Sequence, residues 1–213
     1  MFDKSLLNSF KNQFVSAESF AVLLPPNPDA DAVSSALAFY LSLNQRGKQV
    51  QIGCSSPIRV ENADLFGVDK IKTSIGNQNL VISFDYQEEN LKKVDYEVDE
   101  NGKFMLLIQP QPGTPPPDTS TIQYSYSGAN ADIAIILAAS SLEELGSLYS
   151  EEKSFLDNVK KISLNLTAKP GNFADFSFHT LSATCLSEIT AFVLKEIGFL
   201  PTADAAANLL NTI

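Results

Sequence analysis

The fold is decided by the stretch Leu24-Pro25-Pro26-Asn27-Pro28-Asp29-Ala30-Asp31-Ala32. It follows an apolar run at 20–24, which predicts a buried strand, and it leads into a helix predicted over 31–45. A strand that ends here places Asp29 and Asp31 at the C-terminal edge of a sheet, where α/β folds build sites and two carboxylates can bind a divalent cation. The same carboxylates also suit the first turn of the helix, where they would cap free N–H groups and complement the helix dipole.

The rest of the chain predicts an α/β fold. Strand 20–24, helix 31–45 and strand 50–54 form one βαβ unit, which implies parallel pairing through a right-handed crossover. Further apolar patterns predict helices at 3–16, 140–149, 182–197 and 204–210, and strands at 80–84, 133–137 and 161–166. We therefore expect a doubly wound, mainly parallel sheet flanked by helices, in a single domain over residues 1–213.

Residues 94–127 depart from this plan. Apolar and polar residues alternate on both sides of Asn101-Gly102, which predicts a β-hairpin with a two-residue turn. Five prolines between residues 110 and 117 predict a stiff, exposed connection. We interpret 94–127 as an insertion that carries either specificity or a surface for a partner.

Composition excludes several classes of function. The net charge is −10 and the 15 basic residues are scattered, which argues against an extended nucleic-acid surface. No apolar run is long enough to span a bilayer and the N-terminus lacks a signal-peptide pattern, so we expect no membrane association and a cytoplasmic location. Cys54 and Cys185 lack metal-ligand spacing and are expected to be buried free thiols.

Three further candidates each have two interpretations. Asp85 follows the predicted strand 80–84 and would either supply a third carboxylate at the sheet edge or simply end the strand as a polar terminus or cap. His179 is the only histidine, either a general base or a loop residue, and schemes that need two imidazoles are excluded. Ser34 and Ser35, at the start of the helix after the aspartates, suit either phosphate contact or tight packing of the helix on the sheet.

Taken together, these landmarks resemble the DHH phosphoesterase family, which is named for an Asp-His-His motif. The family includes RecJ-like nucleases, oligoribonucleases, cyclic-dinucleotide phosphodiesterases and family II inorganic pyrophosphatases. The resemblance covers most of the chain and lies in residues 27–37 (first motif), 132–138 with 142–146 (second motif), 172–175 with 183–189 (the segment after the triplet) and 205–213 (the helix before the fourth motif). It implies the family's N-terminal catalytic domain, in which two Mn²⁺ ions activate a bridging water.

The ligand positions of the family are largely occupied by other residues. On this resemblance, the replacements are Pro25 for the first histidine, Ala138 for the bridging aspartate, and Asn165, Leu166 and Thr167 for the Asp-His-His triplet. The fourth-motif aspartate would lie beyond Ile213. Of the metal ligands, the resemblance leaves Asp29 and Asp31.

Three functions follow as expectations. The first is a degenerate domain without catalysis or cofactor, which binds a small phosphorylated ligand or a protein partner. The second is a metal-dependent phosphoesterase for short oligonucleotides, cyclic dinucleotides or polyphosphate, with Mn²⁺ or Mg²⁺ at a site rebuilt from Asp29, Asp31 and Asp85. The third is a structural role, as half of a homo-oligomer or as one lobe of a longer protein, because the family's substrate-closing C-terminal domain does not follow Ile213. The replaced ligands favour a pseudoenzyme over an enzyme.

Overall fold

Strands and helices alternate along most of the computed structural model, which describes residues 4–76, 79–167 and 171–212. The strands are β1 (Ser19–Leu24), β2 (Gln49–Cys54), β3 (Ile71–Lys72), β4 (Asn79–Ser83), β5 (Leu91–Val98), β6 (Phe104–Pro110), β7 (Gln123–Ser127), β8 (Ile133–Leu137), β9 (Lys160–Asn165) and β10 (Phe176–His179). The helices are α1 (Lys4–Ser16), α2 (Ala30–Asn44), α3 (Ser147–Glu151), α4 (Lys153–Asn158), α5 (Leu186–Ile197) and α6 (Ala203–Leu210).

Six strands form one parallel sheet in the order β10-β9-β8-β1-β2-β3. The centre of the sheet is β1, where Val22 pairs with Ile52 of β2 on one side and with Ile135 of β8 on the other. From Phe20 onward β1 is apolar, and β8 is apolar over its whole length, as expected for strands that are covered on both faces. The prediction of a mainly parallel α/β sheet is confirmed.

Helices cover both faces of this sheet. On one face, Val22 and its neighbours pack against α1, α2, α5 and α6 in the larger hydrophobic core. On the other face, Leu23 packs against a smaller core that includes Leu148 of α3 and Leu156 of α4. Alternate residues of β1 therefore serve two cores, as a doubly wound sheet requires.

Two predicted helices differ from the structure. Residues 140–149 form a single 3-10 turn at Glu143–Leu145 and the start of α3, because Gly146 lies between them with φ +65° and ψ −132°. The helix predicted at 182–197 begins at Leu186, since Cys185 before it is extended. Both cysteines are buried free thiols, as expected. No helix in the described ranges is long and apolar enough to cross a membrane.

The chain divides into two compact units. The core unit comprises Met1–Asn79 and Ser127–Ile213 and contains the six-stranded sheet. The inserted unit, Leu80–Tyr126, contains the antiparallel β5–β6 hairpin, while β4 pairs with β7 in a separate two-stranded sheet. The predicted start of the insertion at residue 94 falls inside β5. The strand predicted at 80–84 corresponds to β4, which pairs with β7 and not with a strand of the six-stranded sheet.

The β5–β6 hairpin is present as predicted, but its turn is longer. The backbone N–H of Asp99 donates to the carbonyl of Lys103, which leaves three residues in the loop instead of two. Gly102 is the last of them and has φ +78°. A type I turn followed by a left-handed glycine is the usual way to close a three-residue loop, and the glycine supplies the backbone conformation it needs.

Side chains of the core unit form hydrogen bonds with the backbone on both sides of the inserted segment, near Gly76 before it and at Gly128 and Ala129 after it. Gly76 has φ +91°, and a Cβ at this position would lie 2.5 Å from the backbone nitrogen of Ala129. The side-chain oxygen of Gln51 accepts the N–H of Gly76 at 2.8 Å. The buried carboxylate of Glu152 accepts the N–H groups of Gly128 and Ala129 at 3.1 and 2.9 Å.

Candidate functional site

The strand order reverses next to β1. After β1 the chain continues to β2 and β3 on one side, whereas β8, β9 and β10 extend the sheet on the other side. In open α/β sheets, ligands bind in the crevice at the C-terminal ends of the strands at such a switch point. The loops that meet there follow Leu24 of β1 and Leu137 of β8; the first contains Asn27 and Asp29, and the second begins at Ala138.

Backbone strain marks both of these loops. Among the described residues, Asn27 and Ala138 are the non-glycine residues with positive φ, at 54° and 55°. Asn27 donates its N–H to Ser56 Oγ at 2.6 Å, and Ala138 donates its N–H to the carbonyl of Leu164 at 3.0 Å. Asparagine tolerates this conformation, but for alanine it costs about 1–2 kcal/mol. Strain of this kind clusters at ligand sites, where the surrounding contacts impose it.

Asp29 caps the helix that it precedes. Its backbone is extended, with φ −74° and ψ 172°, and its Oδ1 accepts the N–H of Ala32 at 2.8 Å. This bond satisfies one of the free donors in the first turn of α2, as an N-cap aspartate usually does.

Asp31 caps a different helix. Its Oδ2 accepts the N–H of Leu186 at 2.6 Å, and its Oδ1 accepts both the N–H and the hydroxyl of Ser187 at 2.8 and 2.6 Å. The hydroxyl of Thr212 donates to the same Oδ1 at 3.4 Å. Both oxygens of Asp31 are therefore engaged by the first turn of α5, which has no side-chain cap of its own.

Residues 165–167, where the sequence resemblance places the Asp-His-His triplet, begin at the last residue of β9. Asn165 is the last residue of this strand, and its side-chain amide donates to Ser140 Oγ at 3.2 Å. Leu166 next to it has no atom that binds a metal. Pro25 has no side-chain donor or acceptor, and its carbonyl accepts the thiol of Cys54 at 3.4 Å.

His179 lies at the end of a strand and not in a loop. It pairs with Asn165 across β10 and β9, and its Nε2 is 2.8 Å from the hydroxyl of the buried Ser163. Burial lowers the pKa of His179 below its usual value, so the imidazole is neutral at pH 7. Its buried Nδ1 makes no hydrogen bond to a described residue. The alternation of Phe176 and Phe178 was the one sequence signal for this strand.

The remaining candidates are Asp85, Ser34 and Ser35. Asp85 follows β4 in the inserted unit, and its N–H donates to Thr121 Oγ1 at 3.2 Å. It therefore does not extend a strand of the six-stranded sheet. Ser34 and Ser35 are fully buried in α2, and Ser35 Oγ is 3.5 Å from Ser187 Oγ, which favours the packing interpretation. Across residues 4–76, 79–167 and 171–212, no three His, Cys, Asp or Glu side chains come together as a metal-binding group.

Comparison with known proteins establishes the fold of the chain only. No family model and no curated protein sequence matches the chain. Among solved structures, an exopolyphosphatase-related protein from Bacteroides fragilis superposes with a TM-score of 0.66 at 12% sequence identity. The match covers 98% of this chain and 48% of that protein, so the chain spans about half of its length. At this identity the similarity establishes a shared α/β fold.

Proposed function

We propose that this chain is a degenerate DHH-type phosphoesterase domain that no longer hydrolyses phosphoesters and serves as a binding or assembly module. The observation that carries the proposal is the engagement of Asp31. A carboxylate that ligates Mn²⁺ needs oxygen lone pairs directed at the ion, but both oxygens of Asp31 accept hydrogen bonds from α5 and Thr212.

The other ligand positions support the same conclusion. Two-metal hydrolysis requires a carboxylate that bridges the ions about 3.5–4 Å apart and lowers the pKa of the attacking water. Ala138 stands where the resemblance places that carboxylate, and Leu166 and Thr167 stand in place of imidazoles. The residues present therefore do not fit a pair of Mn²⁺ ions.

The strained backbone supports an origin in a working site. Ala138 adopts a left-handed conformation that glycine, asparagine or aspartate would adopt at lower cost. An aspartate-to-alanine replacement at a position whose backbone geometry was retained accounts for this strain. The exopolyphosphatase-related neighbour is consistent with a phosphoester-handling ancestor, since its α/β fold covers nearly the whole chain.

Titration calorimetry with MnCl₂ tests the proposal. We expect the wild-type chain to show no saturable Mn²⁺ binding below the millimolar range, because Asp29 alone remains free to contribute a carboxylate oxygen. We also expect no Mn²⁺-dependent hydrolysis of short oligonucleotides, cyclic dinucleotides or polyphosphate.

Two variants make the result decisive. Asp29→Asn removes the charge but keeps the helix cap, because asparagine caps as well as aspartate. Asp64→Asn, at an exposed position of the same unit, is the matched control. Micromolar binding that is lost in Asp29→Asn and kept in Asp64→Asn, together with hydrolysis, would overturn the proposal in favour of a rebuilt phosphoesterase site.

A further inference from the structure

One face of the β5–β6 hairpin carries a continuous set of six apolar side chains. The register places three cross-strand pairs on it: Val94 with Ile108, Tyr96 with Leu106, and Val98 with Phe104. Since successive side chains of a strand alternate between its two faces, these six residues point to one side. We call this set the hairpin face.

The hairpin face is open to solvent. Val94, Tyr96, Val98, Phe104 and Leu106 are between 45% and 65% exposed. At its centre the rings of Tyr96 and Phe104 stack with their centroids 5.5 Å apart and their planes within 16°. The stacked rings form a flat apolar surface, and aromatic residues of this kind are enriched in the centres of protein interfaces.

The inserted unit has no buried core of its own over residues 80–124 that would stabilise the exposed hairpin. Among the residues from 80 to 124, for all of which burial is described, not one is buried. A two-stranded hairpin is marginally stable in water unless another layer covers its apolar side. A partner that covers the hairpin face would therefore stabilise the unit as well as remove apolar surface from water.

We propose that a second copy of this chain covers the hairpin face, so that two hairpins pack face to face about a two-fold axis. The three pairs contain no charged side chain, and Lys93, Asp95 and Glu97 of β5 lie on the opposite side by alternation. The fourth charged residue of β5, Lys92, precedes the pairs at the irregularity between Leu91 and Lys93, where the register shifts. A basic or acidic partner finds no counter-charge here. A second copy presents the same uncharged apolar surface, which is the self-complementary arrangement of a two-fold interface.

The area of the face is sufficient for such a dimer. With about 150–200 Å² for a whole large apolar side chain, the exposed fractions amount to roughly 500 Å² on each copy. Two copies together would bury roughly 1,000 Å² of apolar surface, which reaches the size at which specific interfaces begin. Two packed β-layers about 10 Å apart would form the interface.

Sedimentation velocity on the full chain, from low micromolar to several hundred micromolar at physiological salt, tests the proposal. We expect a concentration-dependent shift from monomer to dimer. Leu106→Lys places a charge in the middle of the hairpin face and should raise the dissociation constant by at least about tenfold. The matched control is Gln109→Lys, which adds the same side chain to the same strand on the opposite face and should leave the dissociation constant unchanged.

The wild-type measurement decides the question even if Leu106→Lys fails to fold, which its circular dichroism spectrum would reveal. Phe104→Ser then serves as the second variant, because it removes the exposed ring of the stacked pair without adding a charge. A wild-type chain that remains monomeric at the highest concentration overturns the proposal. A dimer that Leu106→Lys and Gln109→Lys weaken equally, or that neither weakens, lies elsewhere on the chain and also overturns it.

Discussion

The two units of this chain differ in how far their strands are buried. In the core unit every residue of β8 is buried, and so is β1 from Phe20 onward. In the inserted unit neither β5 nor β6 contains a buried residue. Part of the difference lies in composition, because β1 and β8 contain no charged residue, whereas β5 contains four and β6 none. Strands β1 and β8 lie inside a six-stranded sheet with helices on both faces, whereas the hairpin is only two strands wide.

This difference separates the residues that hold the fold from those available to other molecules. Apolar side chains in a covered sheet contribute packing and burial to stability. Single exposed apolar residues are common on proteins, but a contiguous apolar face marks an interaction surface. The inserted unit is therefore the part of the chain where a partner is to be sought, and the core unit is the part that sets its stability.

Replacing one phenylalanine in each unit should give the largest contrast. Phe14 of α1 is fully buried and its ring lies 4.8 Å from that of Phe20 and 5.7 Å from that of Phe199. Phe14→Ala should lower the free energy of unfolding by about 3–5 kcal/mol, because it leaves a cavity in the core. Phe104→Ala should lower it by less than about 1 kcal/mol, because most of that ring is already exposed.

Urea denaturation at sub-micromolar protein, where self-association does not contribute, measures both changes. A loss for Phe104→Ala as large as that for Phe14→Ala would mean that the inserted unit supports the fold as strongly as the core does. The comparison between the units would then fail.

The sequence predicts the core unit better than the inserted unit, and the reason is physical. Strand β8 was predicted without error and the bounds of α2 within one residue, because long apolar runs and a capping aspartate leave few alternatives. Strands β3 and β10 were missed because two and four residues are too short to establish a period. The strand at 80–84 was found but assigned to the wrong sheet, since an apolar strand does not encode its neighbour.

The location of Asp29 and Asp31 after the first strand was predictable from the sequence, but their hydrogen-bond partners were not. Asp29 stands directly before a helix, so a cap was one of its two interpretations from the start. Asp31 meets Leu186, which is 155 residues away in the chain, and no local pattern reveals such a partner. The left-handed backbone of Ala138 was equally hidden, because alanine is not a residue that signals this conformation.

Removing one capping aspartate from each unit should again affect the two units differently, with a smaller change in the free energy of unfolding than the phenylalanine replacements. Asp31→Ala leaves the N–H and hydroxyl of the buried Ser187 without their acceptor and should cost about 2–3 kcal/mol of unfolding free energy. The carboxylate of Asp118 in the inserted unit caps an exposed turn, where it accepts the N–H of Ser120 at 2.8 Å. Asp118→Ala should therefore leave the urea midpoint nearly unchanged. Equal shifts for the two variants would show that the bonds to α5 contribute nothing beyond an ordinary exposed cap.

A change of pH should give the smallest effect and should act on the core unit alone. His179 is the only histidine of the chain, and burial lowers its pKa in the folded state below the ordinary 6.5. Below pH 6.5 the unfolded chain takes up a proton that the folded chain resists. Stability is then complete above that pH and falls as the pH drops toward the folded-state pKa.

Urea midpoints between pH 7.5 and 5.5 should fall for the wild type and fall less for His179→Gln, whose amide can still reach Ser163 but does not titrate. The inserted unit carries no histidine, so the dissociation constant of the dimer should stay constant over the same range. If the urea midpoints of the wild type and His179→Gln fell equally with pH, the pH dependence would come from groups other than His179. A dissociation constant that followed the midpoint would instead show that the two units are coupled, because protonation in the core would then be felt at the hairpin face.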